Sequence, residues 1–465
     1  MRIKKTALVL LLCLGFRLIF FFAVAPWDPR VREGQILKGD ALEYHLLAKN
    51  LAENHRFAGQ TFYQLDAIRT PGYPLFVGFF YLFFGAVPWI VLLAQILLDS
   101  ISCALFYLIL ARLISPKAAV PSAIMYAMDP FLIFHSSTLL SDIPFIFLCL
   151  VAFFFIANII DVGYQKRKFF PLALSAIFFG LATLTRPISL YLPPLIALFL
   201  LFHFRGKIKF ALKYASVYLL VFAVTIAPWL VRNQVCYGQL SLSTSGAYNL
   251  LVRSVAPIIM HKNDLDAHSA RKMLFDEADE LMARDGLSSA HLNDFQKARY
   301  WQRAAIGHLR SEPLKFLKFH VLGMIHTLAN LGTRSYADFL GMKTGVEPLD
   351  IKQYAGFVSL LRAFLRAKTG PEIAIGLAIG TYLLVTYLLA AVGLITGWGH
   401  GNRPILWLSL LISLYFLTIT GAAGLARFKL PAIPFYLVFA GMGCSWIIEK
   451  IKRGRSSHSL SPVST

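Results

Sequence analysis

Gly39-Asp-Ala-Leu-Glu-Tyr44-His-Leu-Leu-Ala-Lys-Asn-Leu51 and Arg69-Thr-Pro-Gly-Tyr-Pro74 sit within a polar stretch, Pro26 to Pro74, that separates two strongly apolar regions. Carboxylates, arginines, aromatics and turn residues are concentrated there, while the chain on either side reads as bilayer-spanning helix. A stretch of this composition between spans is a loop of a polytopic membrane protein, and its chemistry marks it as a candidate reaction loop.

The 465 residues are 57% hydrophobic and 15% charged, with a mean hydropathy of +0.63. That is too apolar for a soluble domain, and several runs are long enough to cross a hydrocarbon core of about 30 Å. The formal charge of +21 would point to nucleic acid in a soluble chain. Here the lysines and arginines fall in short loops and at helix ends, where headgroups and orientation account for them, and no basic groove motif accompanies them. Nucleic acid is therefore not an expected partner. Cys13, Cys103, Cys149 and Cys444 lie in apolar runs and only Cys236 in a polar one, so neither a disulfide framework nor a cysteine metal site is expected. The histidines show no metal-type pairing on one helix, and no protein-built transition-metal site is expected, while a bound divalent cation stays open.

Hydropathy and basic loops predict an all-α polytopic protein of about ten spans. These are Thr6–Ala25, Pro88–Leu113, Ala118–Phe134, Ile143–Ile160, Phe169–Thr185, Ile188–Phe204, Ala211–Val231, Ile373–Thr396, Ile405–Ala422 and Pro431–Ile448. The first follows Met1-Arg-Ile-Lys-Lys5 and reads as a retained signal anchor with a cytoplasmic N-terminus. Basic segments at Gln165–Lys168, Arg205–Lys209, Gly399–Arg403 and Glu449–Arg455 then fall on the same inner side. Leu75–Gly85, Lys315–Leu331 and Tyr354–Leu365 are apolar but short or interrupted by charge, and are expected to lie in the interface. His261–Arg310 reads as a small helical domain. The expected division is a transmembrane catalytic module at 1–233 and an extracytoplasmic, mostly helical region at 234–372. Spans at 373–448 and a disordered basic tail at 449–465 follow.

This topology gathers Asp40, Tyr44, Arg69, Tyr73, Asp142, Arg186, Arg232, Arg427 and Lys429 at the outer surface. Ionisable groups near hydrocarbon are costly, and arginines facing outward oppose the usual charge bias, so the gathering suggests a lined cavity. Taken singly, the same residues have plainer readings. Asp40 and Asp142 suit helix N-caps, Arg69 suits a headgroup contact or turn at Pro71-Gly72, and Arg186, Arg232 and Arg427 suit snorkelling helix ends. Asp99, in mid-span, reads as a structural polar contact. Taken together, one carboxylate and several arginines suit transfer from a lipid-linked phosphosugar. The phosphate is a good leaving group that needs cations, which arginine forks supply, and the acceptor hydroxyl needs a base.

The chain resembles the GT-C superfamily of membrane glycosyltransferases. Its likeness is to the group that holds protein O-mannosyltransferases, the aminoarabinose transferase of lipid A and lipopolysaccharide-core transferases. The resemblance rests on Asp40 with Tyr44, Arg69–Pro74, Leu140-Ser-Asp142 and Gly180-Leu-Ala-Thr-Leu-Thr-Arg-Pro187. It is extended by Pro228-Trp-Leu-Val-Arg-Asn233, Ser245-Gly-Ala-Tyr-Asn249 and Arg427-Phe-Lys-Leu-Pro-Ala-Ile-Pro434. It implies Asp40 as catalytic base and Arg186, Arg232 and Arg427 near the donor phosphate. Tyr44, Arg69, Tyr73, Asp142, Asn249 and Lys429 become further substrate-binding candidates, with Asp142 placed to orient the acceptor or a divalent cation. Many relatives carry an acidic pair where Ala41 follows Asp40, so a second carboxylate is not expected at that neighbour. The implied activity is inverting transfer from a polyprenyl-phosphate-sugar donor, amid membrane lipids, to a lipid, glycan or protein acceptor on the extracytoplasmic face of the inner membrane. The competing class is a flippase or transporter of a lipid-linked sugar, against which the lack of internal repeats and the one-sided polar residues both argue.

Overall fold

The computed structural model describes residues 2–59, 66–162, 169–342, 368–399 and 403–458. Expectations for 165–168, for the helix at 354–365, for much of the 399–403 turn and for the end of the tail lie outside these residues. The principal helices are α1 (Arg2–Val24), α2 (Asp40–Asn54), α3 (Gly72–Phe84), α4 (Pro88–Leu113), α5 (Pro116–Met128) and α6 (Pro130–Ser136). They continue with α7 (Asp142–Val162), α8 (Phe169–Thr185), α9 (Leu192–His203), α10 (Ile208–Tyr237), α11 (Ala267–Arg284) and α12 (Asp294–Ser311). Last come α13 (Pro313–Ala329), α14 (Gly370–Thr396), α15 (Arg403–Ile419) and α16 (Ile433–His458).

Six of these segments (α1, α4, α7, α10, α14 and α16 with flanking turns) are long and apolar enough to cross a membrane. The others expected to span divide into two kinds. α8, α15 and the segment 187–203 are apolar but shorter, and 118–134 is not one helix but the pair α5 and α6, bent by 52°. The break follows from Asp129-Pro130. Asp129 is held extended at φ −62°, ψ 118°, Pro130 opens the next helix, and the Asp129 carboxylate caps it by accepting from the backbone N–H of Leu132 at 3.0 Å. At two other ends the helices outrun the expected boundary. α10 continues past Val231 to Tyr237, so Arg232 lies inside it. α16 runs through the basic tail to His458, because Glu449 and its neighbours continue the helix, with Glu449 bridged to Lys117 at 2.6 Å.

Two apolar cores share one bundle. One joins α1, α2, α3, α4, α5, α6 and α16, and the other joins α7, α8, α9, α10 and α15. α14 and α16 cross at small residues, where a Cβ on Gly393 would collide with the Phe439 carbonyl and one on Gly443 with the Leu389 carbonyl. Gly393→Val is therefore expected to cost about 1–3 kcal/mol or more by overpacking. The check is the aggregation temperature of the solubilised protein, which should fall.

α2 and α3 pack as a hairpin-like pair over the bundle end, with Gly78 against the Ala48 carbonyl. His45 Nδ1 lies 2.8 Å from the Tyr81 hydroxyl, and burial, then Lys49 and Arg32, push the imidazole down to about 4. A depressed folded value gives stability that is complete above the unfolded value and lost as pH falls from about 6.5 towards 4. The loss would be about 3 kcal/mol unscreened, and about 1–2 kcal/mol for a partly exposed ring. His45→Phe should flatten the pH dependence of the unfolding temperature over that window.

A third cluster gathers Leu251, Val255, Ile259, Leu274 and Ala305 from the segment 250–263 with α11 and α12. α13 follows as a single helix. Its Leu314, Leu317, Val321, Leu322 and Ile325 are exposed, while His320 and His326 turn inward to the carbonyls of Thr418 (2.9 Å) and Gly424 (2.5 Å). His320 and His326, two of the residues that interrupt its apolar pattern, thus belong to its protein-facing side, while Lys318 is exposed.

Candidate active site

Gly39 adopts φ +54°, a conformation that spares glycine the penalty of a side chain, and lets α2 start abruptly at Asp40. Asp40 is not the cap, since the N-cap position is Gly39 and makes no side-chain cap bond. The carboxylate is instead aimed away from its own helix. Its Oδ1 accepts from Arg69 Nη2 at 2.6 Å and its Oδ2 from Arg427 Nη1 at 2.8 Å. One helical turn on, Glu43 accepts from Arg69 Nε at 2.9 Å and Nη2 at 2.7 Å. A second first-loop carboxylate is therefore present, three residues from Asp40 rather than beside it, because the helix returns position 43 to the same face.

Arg69 is fixed from its own segment. Asp66 Oδ1 accepts the backbone N–H groups of Ile68 (3.0 Å) and Arg69 (2.8 Å), and Pro71-Gly72 then opens α3. Gly72 approaches Leu184 and Thr185 so closely that a Cβ there would clash, which brings the start of α3 against the end of α8, next to Arg186. The Arg69 guanidinium lies 4.9 Å from the Tyr44 ring centroid. Tyr44 meets Tyr73 edge-on at 4.7 Å, and the Tyr73 hydroxyl donates to Gln95 Oε1 at 2.7 Å.

Asp142, the first residue of α7, is fully buried. Its Oδ2 accepts from Arg427 Nε at 2.8 Å, and its Oδ1 faces Arg186 Nη1 in an ion pair. The whole is one chain of alternating charge: Glu43, Arg69, Asp40, Arg427, Asp142, Arg186. Burial pushes the Asp40 carboxyl up, but Arg69 and Arg427 outweigh it and hold it well below the usual carboxylate range. Three cations face three carboxylates, so the chain is balanced in itself.

The other candidates stand apart from this chain. Arg232 donates to the Asp66 carbonyl at 3.1 Å and to Asn233 Oδ1 at 2.8 Å, and sits among Phe57, Trp229 and Tyr237. It pins the returning limb of the first loop, and so acts on Arg69 only through Asp66. Asn249 bonds the Ser245 carbonyl within its own short helix. Lys429 is buried, donates to the carbonyls of Leu328 (3.1 Å) and Asn330 (3.0 Å) at the end of α13, and lies 3.8 Å from the Phe131 ring centroid. It ties three elements together behind Arg427. Asp99 makes a structural contact as expected, with a partner the sequence reading passed over, Arg17 of α1.

Beside Arg427 and Ala41 opens a cavity of about 350 Å³, walled by Phe131, Phe134, Tyr336 and Phe339, with His135 among its polar lining. The ion chain therefore borders both exposed loop and an aromatic chamber. Such a site offers a carboxylate base, guanidinium forks for an anion, and room for a small apolar-faced group.

The dolichyl-phosphate-mannose-protein mannosyltransferase family model matches residues 69–231. Among solved structures, the archaeal oligosaccharyltransferase AglB from Archaeoglobus fulgidus, in complex with an inhibitory peptide and a dolichol-phosphate, matches with a TM-score of 0.54 at 14% identity. The match covers 100% of this chain and 52% of that one. The apo form of the A. fulgidus enzyme gives 0.52 at 15% identity over the same shares, so this chain spans about half the length of those proteins. ArnT from Cupriavidus metallidurans bound to undecaprenyl phosphate gives 0.40 at 12% identity, covering 93% of this chain and 78% of that one. A search of curated protein sequences found no match. The fold of this chain is thus similar to that of the archaeal oligosaccharyltransferase, and its residues 69–231 match the dolichyl-phosphate-mannose-protein mannosyltransferase family model.

Proposed function

We propose that the protein transfers a sugar from a polyprenyl-phosphate-linked donor to a hydroxyl acceptor, with inversion, on the extracytoplasmic face of the inner membrane. The observation that carries this reading is Asp40 bridged between Arg69 and Arg427. A carboxylate and guanidinium forks in direct contact are the two groups that the chemistry needs within one sugar's breadth, a base for the acceptor and cations for the departing phosphate. The matching family is named for a dolichyl-phosphate-mannose donor, and the archaeal neighbour holds a dolichol-phosphate, both consistent with a lipid-phosphate donor here.

The mechanism follows from the balance of charge. While both arginines engage Asp40, the carboxylate is a poor base. A donor phosphate that draws Arg69 or Arg427 towards itself lifts that restraint, and Asp40 becomes basic only when a donor is present. Asp40 then removes the acceptor proton as the acceptor oxygen attacks the anomeric carbon, and the C–O bond to phosphate breaks with its electrons going to the phosphate. Glu43 retains Arg69, and Asp142 with Arg186 anchors Arg427, so both guanidiniums stay within reach. The domain division at 233 and 372 is part of the same proposal, and the second region touches the first loop where the Thr244 backbone N–H donates to the Ala67 carbonyl at 3.0 Å.

Mass spectrometry of surface glycans and glycolipids from cells with and without the gene tests the reading. A species that loses one sugar on deletion, with the lipid-linked donor accumulating, is the expected result. An unchanged glycome with altered leaflet distribution of the donor would overturn it in favour of transport.

A further inference from the structure

Arg253 lies on a six-residue π-helical segment, Leu250–Val255, that joins the extracytoplasmic helical cluster to the bundle. Single π turns inside helices recur at functional sites because they re-aim one side chain. Here the re-aimed residue is an arginine, lying 5.8 Å from the ring centroid of Phe428, the residue after Arg427. The same segment packs on Gly421–Ala423 and on α13. Leu251, Val252 and Val255 are buried around it, so its backbone is fixed.

Arg253 differs from the other site arginines in having no carboxylate. Among the described residues it makes no ion pair and no hydrogen bond, and its Nε is buried without a partner. Asp40 and Arg427 are both within electrostatic reach of it, and burial, with Arg271 next, pushes its guanidinium down. A partly buried, unpaired guanidinium is costly unless something anionic completes it. The ion chain cannot, because its carboxylates are already matched by its own arginines. A donor phosphate entering a balanced chain would bring uncompensated negative charge, and Arg253 is the cation held in reserve beside it.

We infer that Arg253, carried by the segment 250–255, is a ligand of the phosphate of the lipid-linked donor. This rests on the functional reading above and adds to it a residue from outside the first loop and the bundle. It also gives the helical region 234–372 a chemical part, since that region delivers a guanidinium to the site.

Native mass spectrometry of the detergent-solubilised full chain, titrated with undecaprenyl phosphate and separately with undecaprenol, tests it. The wild type should prefer the phosphate. Arg253→Gln should lose about tenfold or more of the affinity for undecaprenyl phosphate, Arg253→Lys less, with undecaprenol binding unchanged. Arg310→Gln, an exposed arginine of α12, should bind as wild type. The variant removes an unpaired group, so its unfolding temperature should not fall. A wild type that prefers the phosphate and an Arg253→Gln that binds it equally well would overturn this inference alone. A wild type with no preference for the phosphate would overturn the functional reading and this inference with it. Equal competition by phosphatidylglycerol would assign Arg253 to bulk lipid and overturn the inference.

Discussion

Asp40→Asn is expected to lower sugar transfer by about 10²- to 10⁴-fold, the usual worth of a positioned general base, while the protein inserts and folds normally. The amide keeps size and one acceptor oxygen but has no basic site at neutral pH. Its NH₂ meets either Arg69 or Arg427, so one of the two bonds at 2.6 and 2.8 Å is lost. Water can take over that guanidinium, because the Asp40 side chain is 41% exposed. Asp142→Asn makes the contrasting case. Its side chain is 0% exposed and lies between Arg427 and Arg186, so losing its charge strands buried cations and should appear as unfolding rather than as a clean loss of rate. The measurement is transfer in membranes against the amount of correctly inserted protein. Near-normal transfer by Asp40→Asn would remove Asp40 from the base role.

Glu43 sharpens this. Glu43→Gln leaves Asp40 intact but loosens Arg69, whose Nε and Nη2 both bond Glu43. The expected outcome is weaker donor use, with KM for the donor raised more than kcat is lowered, and the split between the two constants checks it.

Hydropathy was enough to place the apolar helices, because length and composition are local properties. It could not say that 118–134 bends, although Asp129-Pro130 carried the signal, a residue pushed out of helical conformation by the proline after it. The motifs located Asp40, Arg69, Asp142, Arg186 and Arg427, yet nothing in their spacing shows that Arg427 bonds Asp40 and Asp142 at once, since that contact joins opposite ends of the chain. Glu43 was legible only once α2 was known to start at Asp40, because the three-residue return depends on helical register. The surroundings of Arg232 were hidden for a similar reason. The spacing reads it as a helix-end residue, whereas α10 runs on to Tyr237 and its guanidinium lies among Phe57, Trp229 and Tyr237. Arg253 had no sequence signal, as a π turn has no composition of its own.

Arg17→Ala is expected to destabilise the fold by about 3–5 kcal/mol, the cost of breaking a buried ion pair from one side. Arg17 and Asp99 are both fully buried, with Nε to Oδ2 at 2.8 Å, and Tyr126 donates its hydroxyl to Asp99 Oδ1 at 2.7 Å. The other guanidinium nitrogens donate to the carbonyls of Tyr126 (3.2 Å) and Ala127. Those carbonyls belong to the last turn of α5, where the Tyr126 carbonyl also accepts the Asp129 backbone N–H at 3.2 Å and the break at Pro130 ends the helical ladder. Arg17 therefore does two things at once. It neutralises Asp99 and it satisfies the end of a helix that must stop early, so that α6 can turn towards His135 and the cavity beside Arg427. In Arg17→Met with Asp99→Leu the stranded charge is gone but the Ala127 carbonyl loses the Arg17 donor, so the double variant should recover part of the loss and not all of it. Thermal unfolding of the solubilised protein measures all three states. An Arg17→Ala that unfolds at the wild-type temperature would show that the bend at Asp129-Pro130 holds without the ion pair. Full recovery in the double variant would show that the pair matters for its charge alone and that the carbonyls at the bend find other partners.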